Sequence, residues 1–295
     1  DLLGIQCGGK YFRYCSCPFG AKASPYYCNK LLRPVLKYLR EQGLRVTLYV
    51  DDFFLCATQE DISKHKQILL SVLQSLGLHV NFDKSHLTET QCLQYIGYII
   101  KTNGKVPTIE VPVDRIKKLK KDIKRALDKS CVNARALARV LGQCVSMTQA
   151  VLPGRLLLRN AFRLLKSKQH WDDKLCLDEG TVKDLTWWFN SLDNWNGVPI
   201  EKPRIDCQIT TDASGSGWGA HMNHKEAFGF WDSTIRHMSS NYRELLTVHL
   251  ALCSFAPDLH GKHVQVLTEN ICTVAYLNNL GGQSRALTDL VTSIW

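Results

Sequence analysis

The chain has 295 residues, 45% of them hydrophobic, which is room for about two domains of ordinary size with sizeable cores. Lys and Arg number 37 against 27 Asp and Glu, a net charge of +10, so a polyanionic partner is favoured, nucleic acid first. No apolar run approaches the ~20 residues of a membrane span, and Asp1-Leu2-Leu3-Gly4 is no signal peptide, so an intracellular protein of cytoplasm or nucleus, without a membrane partner, is expected.

In chain order, Gly8 to Tyr14 reads as a turn and a strand. Cys17-Pro18-Phe19-Gly20 is a loop fixed by proline and glycine, and Ser24-Pro25 starts a helix, Ser as cap and Pro at the first position. Arg45 to Ala57 sets Asp51-Asp52 between two short apolar runs rich in β-branched and aromatic residues. This is a hairpin with the acids at or next to its tip. Two charges beside so much apolar surface are costly unless paired or bound to a cation. Oxygen ligands suit magnesium, which takes one or two carboxylates plus substrate phosphates. The bland alternative is a polar turn, but Asp-Asp is not a favoured two-residue turn.

Asp61 to Leu76 has the apolar spacing of an amphipathic helix, ended by Gly77. Lys84 follows in a polar stretch, either a solvated loop lysine or a proton donor if buried. Tyr95 to Ile100 is a strand, with Gly97 at a bulge or a close backbone approach. Pro107 to Pro112 reads as a linker. Val113 to Leu127 is a helix with Lys117, Lys118, Lys120, Lys121, Lys124 and Arg125 on one face, which is solvated surface or a polyanion contact. Asn133 to Met147 is a second helix. Arg155, Arg159 and Arg163 recur at near-helical spacing, and Trp187-Trp188-Phe189 lies in an apolar stretch read as packing. Asn194 to Pro203, with Gly197, Pro199 and Pro203, is the best domain boundary.

Beyond it, Arg204 to Thr211 alternates like a half-buried strand and leads into Asp212 and a glycine-rich turn. Ser239 to Leu246 starts a helix carrying Glu244, and His263 to Thr268 is a strand ending at Glu269-Asn270 before a further helix from Ile271 to about Asn278. In a mixed α/β fold, these strand ends and the helix can bring three acids to one edge as ligands for two metals. Each acid also has an ordinary role: Asp212 closing a turn, Glu244 in a capping box with Asn241, Glu269 at a helix start. The twelve cysteines form no Cys-x-x-Cys pair and read as small buried hydrophobes of a reducing compartment. His221, His224, His260 and His263 lack the paired cysteines of a zinc site and read as surface or structural residues.

Tyr49-Val50-Asp51-Asp52 between apolar strands resembles the catalytic hairpin of reverse transcriptases. Pro18-Phe19-Gly20 followed by Ser24-Pro25 is similar to their loop and helix beside template and incoming nucleotide, with Cys17 where Leu is common. Thr211-Asp212-Ala213-Ser214, Gly217-Trp218-Gly219-Ala220, Asn241-Tyr242-Arg243-Glu244-Leu245 and Thr268-Glu269-Asn270 resemble the retroelement ribonuclease H domain. Together they resemble the reverse transcriptase–ribonuclease H region of retroelements, particularly the DIRS/Ngaro (tyrosine-recombinase) retrotransposons. The resemblance implies a mixed α+β and α/β fold: a partial right-hand polymerase palm and thumb, then a ribonuclease H-like mixed-sheet domain. It implies palm and fingers over 1–105, a thumb-like segment over 106–170, a connection over 171–203 and the ribonuclease H-like domain over 204–295.

The same resemblance implies RNA-directed DNA synthesis and cleavage of RNA in RNA–DNA hybrids. Asp51 and Asp52, and separately Asp212, Glu244 and Glu269, would each hold two Mg2+ (or Mn2+) ions. Lys84 would protonate pyrophosphate. Pro18, Phe19, Gly20, Ser24, Pro25 and Tyr49 would shape the nucleotide and template pocket, and Gly97 would let the backbone approach the primer. The implied partners are an RNA template, a DNA primer, RNA–DNA hybrid and deoxynucleoside triphosphates. Where the family carries Asp, this chain has Glu269, and a carboxylate misplaced by about an ångström can cost a hundredfold in rate. A further polymerase aspartate is expected before residue 1 and a further nuclease acid after Trp295; Asp289 does not match it. Two rival readings are an inert nucleic-acid-binding remnant of a retroelement and a basic scaffold unrelated to polymerases.

Overall fold

A computed structural model describes residues 4–15 and 20–295. The chain divides into two compact units, Asp1–Ile96 and Gly97–Trp295.

The first unit opens with an exposed antiparallel hairpin, β1 (Gly4–Cys7) and β2 (Lys10–Arg13). Helix α1 (Ser24–Glu41) follows. Ser24 is its first helical residue and not the expected cap; Ala23 holds that position without a side-chain bond. Pro25, with φ already fixed for a helix, is the effective start signal. β3 (Arg45–Tyr49) and β4 (Asp52–Cys56) form the expected hairpin, in register from Arg45↔Cys56 to Tyr49↔Asp52. Then come α2 (Ile62–Ser75) and β5 (Cys92–Tyr95). Leu39, Leu44, Val46, Leu69 and Leu73 bury together, each burial being worth about 1.5–3 kcal/mol. That core seats both helices on the hairpin and fixes which way its tip points.

The second unit runs through β6 (Tyr98–Lys101), β7 (Thr108–Glu110), α3 (Val113–Leu127), β8 (Cys131–Asn133) and α4 (Ala134–Val145). A 3-10 segment (Leu152–Leu158), α5 (Arg159–Lys166), β9 (Lys174–Cys176), α6 (Glu179–Trp195) and β10 (Val198–Pro199) follow. The stretch expected to be a linker over 107–112 therefore contains β7, which pairs with β6 on one side and β10 on the other. Thr108-Ile109-Glu110 alternates between its flanking prolines, and partners distant in sequence decide its state. Leu119, Ile123, Leu137, Leu141, Leu185, Trp188 and Leu192 form the main core. Gly154 is required there, since a Cβ would sit 2.5 Å from the Trp188 ring.

Cys131 and Cys176 face each other on β8 and β9 and are joined by a disulfide. This corrects the reading of the cysteines as reduced, buried residues. Among the free cysteines of the described residues only Cys144 is buried, and Cys7, Cys15, Cys56, Cys92 and Cys253 are exposed. A sequence separation of 45 hides the pairing from any local pattern.

The rest is a mixed sheet with helices: β11 (Cys207–Ala213), β12 (Gly217–Met222), β13 (Lys225–Phe230), α7 (Ser233–Arg236), α8 (Ser240–Ser254), α9 (Ala256–Leu259), β14 (Val264–Leu267), α10 (Ile271–Asn278) and α11 (Arg285–Ile294). The strand order is β13-β12-β11-β14, with β14 parallel to β11 and the other pairs antiparallel. Ile209, Ala220 and Met222 on one sheet face pack against Ala251 and Phe255. Leu156 lies in a shared core with Leu245, Leu280, Leu287 and Val291. The Arg159 guanidinium donates to the Asn279 carbonyl (3.1 Å) and the Leu280 carbonyl (2.9 and 3.1 Å) at the C-terminal end of α10, where a cation also meets the negative end of the helix dipole. The three arginines at near-helical spacing do not share one helix, because the backbone leaves helical geometry at Leu157.

Candidate active sites

Val50 and Asp51 form the two-residue turn of the first unit's hairpin, and Asp52 is the first residue of β4. The Asp-Asp pair is thus split between turn and strand. Val50 has φ +58°, a conformation that a β-branched side chain enters at a cost of roughly 1–3 kcal/mol. It is held from two sides: the Cys28 thiol of α1 lies 3.6 Å from the Val50 carbonyl, and the Tyr95 hydroxyl donates to the Asp52 carbonyl at 3.1 Å. The Tyr95 ring packs on Phe54, centroids 4.9 Å apart. Burial, then the Asp52 charge, raises the Tyr95 pKa. Asp51 and Asp52 are both exposed.

The other residues expected around this site are spread along the first unit. Pro18 and Phe19 lie outside the described residues. Gly20 has φ +83°, and Ser24 and Pro25 form the first turn of α1. Tyr49 is 59% exposed at the end of β3. Lys84 is exposed in a turn where its main-chain N–H donates to the Asn81 side chain at 3.2 Å. The second unit holds Gly97, at φ +81°. Arg115 of α3 donates to the Gly97 carbonyl, and to the Ser146 hydroxyl at 2.7 Å. A Cβ on Gly97 would lie 2.9 Å from the guanidinium, which could swing aside, so it is the positive φ that favours glycine here. Lys117, Lys118, Lys121 and Lys124 are exposed and, among the described residues, pair with no acid.

The second set of acids comes from three elements. Asp212 stands on β11, exposed, opposite Gly219 of β12. Glu244 lies in the second turn of α8, only 9% exposed, and its Oε2 is buried without a hydrogen-bond partner. Glu269 is exposed between β14 and α10. Burial raises the Glu244 pKa, the charges of Asp212 and Glu269 add to the rise, and Arg243 opposes it. The capping-box reading of Glu244 is not realised. Ser239 caps α8 by accepting from the Tyr242 N–H at 3.2 Å. The Asn241 amide instead accepts from Asn270 at 2.9 Å, which ties the start of α8 to the turn that bears Glu269. The four histidines are exposed, as expected.

Among the described residues no three His, Cys, Asp or Glu side chains form a ready metal cluster. The three acids nevertheless repel one another through Glu244, and its buried oxygen is unpartnered. A divalent cation relieves both costs, so the donor set fits one. At the hairpin, two exposed carboxylates fit a magnesium ion that completes its shell with substrate phosphates.

Not foreseen from the sequence are Cys28, Tyr95, Arg115, Trp231, Arg243 and the Asn241–Asn270 pair. Arg243 adjoins Glu244 in sequence, a usable signal. The others act on residues distant in the chain.

Residues 3–100 match the family model for reverse transcriptase (RNA-dependent DNA polymerase). Over that stretch the chain carries a reverse transcriptase domain of the kind found in retroelement and retroviral Pol proteins. It is 30% identical over 271 residues to the retrovirus-related Pol polyprotein from transposon opus of Drosophila melanogaster, covering 86% of this chain and 26% of that protein. It is also 24% identical over 225 residues to Protein P of hepatitis B virus genotype D, covering 74% of this chain and 25% of that one. The chain thus spans about a quarter of the length of these relatives. Among solved structures, a foamy viral protease-reverse transcriptase in complex with dsDNA superposes with a TM-score of 0.57 at 17% identity, covering 92% of this chain and 55% of that one. The complex of that viral protein with an RNA/DNA hybrid gives 0.55 at 14%, covering 99% and 39%. The fold is accordingly the expected one, a partial right-hand polymerase followed by a ribonuclease H-like mixed sheet.

Proposed function

We propose that this chain is the polymerase and ribonuclease H portion of a retrotransposon protein. In this reading it copies an RNA template into DNA from a DNA primer and deoxynucleoside triphosphates, then cleaves the RNA of the resulting hybrid. The observation that carries it is the strained Val50 turn, which sets Asp51 at the hairpin tip and Asp52 at the start of the next strand, within the stretch that matches the reverse transcriptase family. Nucleic acid as partner is supported by the +10 charge, the unpaired lysines of α3 and the nucleic-acid complexes of the structural neighbours. The motifs around Asp212 and Glu244 resemble the retroelement ribonuclease H domain, and placement near the DIRS/Ngaro elements rests on the overall sequence resemblance alone.

Asp51 and Asp52 would hold Mg2+ or Mn2+ at the polymerase site, and Asp212, Glu244 and Glu269 would do so at the nuclease site, two ions to each. Bound there, the ions supply charge stabilisation at the attacking and leaving oxygens of an in-line displacement. Gly20, Ser24, Pro25 and Tyr49, with Pro18 and Phe19, border the nucleotide. The role of Lys84 as proton donor to pyrophosphate rests on the family resemblance alone, since it is exposed in a turn, while Gly97 lets the primer approach and the α3 lysines contact backbone phosphates, making binding steeply salt dependent. At the nuclease site, a bound cation would offset the burial and the Asp212 and Glu269 charges that raise the Glu244 pKa, and the hybrid would be read through shape and 2′-hydroxyl contacts.

The test is primer extension on an RNA template by the full-length parent protein, beside Asp51→Asn and Asp52→Asn. Loss of magnesium-dependent synthesis in both variants supports the reading, and undiminished synthesis overturns it. RNA cleavage in a labelled hybrid, with and without Asp212→Asn, tests the second site separately.

A further inference from the structure

We propose that Trp231 and Arg243 form a positioning relay that sets the spacing of the Asp212 and Glu244 carboxylates for divalent-cation binding, an inference that rests on reading those acids as the nuclease site. Asp212 and Glu244 belong to different elements, a strand and a helix packed on its sheet, so the spacing of their carboxylates also depends on how the turn after Asp212 is tied to the start of α8. A run of hydrogen bonds links the turn two residues beyond Asp212 to Arg243, the residue before Glu244. Trp231, 5% exposed, follows β13 directly. Its indole N–H donates to the Ser214 carbonyl at 3.1 Å and its main-chain N–H to the Ser216 carbonyl at 2.9 Å, which pins the turn just beyond Asp212. The Trp231 carbonyl accepts from Arg236 Nε at 3.1 Å. The carbonyls of Arg236 and Met238 each accept from Arg243 Nη1 at 2.9 Å. The Arg243 Nε is buried without a partner, and both bonds to the carbonyls come from the single nitrogen Nη1. Groups that orient ligands in this way commonly change metal affinity by about 10–100-fold when removed.

A relay differs from a mere loop tie in what it moves. The experiment uses the full 295-residue chain with Asp51→Asn and Asp52→Asn, so that the hairpin acids do not contribute. Mn2+ affinity is read from the electron paramagnetic resonance signal of the free ion, beside the thermal midpoint. Trp231→Phe removes the indole donor and keeps an aromatic ring. Arg243→Lys keeps the charge and loses the planar fork. Asp232→Ala is the control: it removes the cap of α7, where Asp232 accepts from the Ile235 N–H at 2.8 Å, and loosens the same loop while deleting no donor or acceptor of the relay.

Each relay variant is expected to weaken Mn2+ binding about tenfold or more, while Asp232→Ala lowers the midpoint and leaves affinity near the parent's. Parent-like affinity in folded Trp231→Phe and Arg243→Lys overturns the relay, as does an equal loss in Asp232→Ala. Asp212→Asn separates the two levels. If it leaves Mn2+ affinity intact, the site reading fails and takes the relay with it. If it abolishes binding while the relay variants bind normally, only the relay fails.

Discussion

The Tyr95 hydroxyl donates a hydrogen bond to the main-chain carbonyl of Asp52 at 3.1 Å, so the last residue of β5 braces the start of β4 from outside the hairpin. Tyr95→Phe keeps the ring on Phe54 and deletes only this donor. The expected cost is about 1 kcal/mol of stability, with slower nucleotide incorporation and unchanged template affinity. Single-turnover incorporation beside a binding isotherm checks it.

Val50 is strained at φ +58°, and Asn tolerates that region far better than a β-branched residue. Val50→Asn is expected to raise stability by about 1 kcal/mol while slowing synthesis, because the side chain beside the acids changes. Denaturant melts and primer extension on the same preparation measure both effects.

Glu244 has a pKa above the ordinary carboxylate value of 4.5, so the folded state favours its protonated form. Its charge therefore costs stability as pH rises from the unfolded value through the raised folded one, and costs nothing well below both. Glu244→Gln, neutral throughout, is expected to melt about 2–4 °C higher at pH 7 if ~1 kcal/mol is recovered, and to match the parent at low pH. Melting curves across pH test the sign, and the same variant is expected to lose RNA cleavage.

The Cys131–Cys176 disulfide closes a loop with a sequence separation of 45. Reduction is expected to lower stability by roughly 2–4 kcal/mol. Thermal melts with and without reductant, beside non-reducing mass spectrometry, check both the bond and its effect.

The elements legible in the sequence were those that local chemistry decides. Val113–Leu127 follows from its apolar spacing, and the hairpin about Asp51 and Asp52 from two short apolar runs. β7 and the disulfide were not legible, because partners far along the chain create them. The same division holds at the sites. The acids stand out by residue type and by family resemblance, whereas Tyr95, Trp231 and Arg243 matter through main-chain carbonyls, which carry no mark in the sequence. Glu244 shows the limit most clearly: its spacing from Asn241 suits a cap, yet Ser239 takes that role and Asn241 turns to Asn270.

Leu156 and Arg159 precede the stretch Asn194–Pro203, where the sequence predicts a boundary, yet Leu156 fills the core with Leu245, Leu280, Leu287 and Val291, and Arg159 holds the end of α10. Cutting the chain near residue 204 would therefore open a hole in the excised piece and strand two carbonyls. Any transfer of this mixed-sheet module to another chain must carry its foreign leucine and arginine along, or replace them.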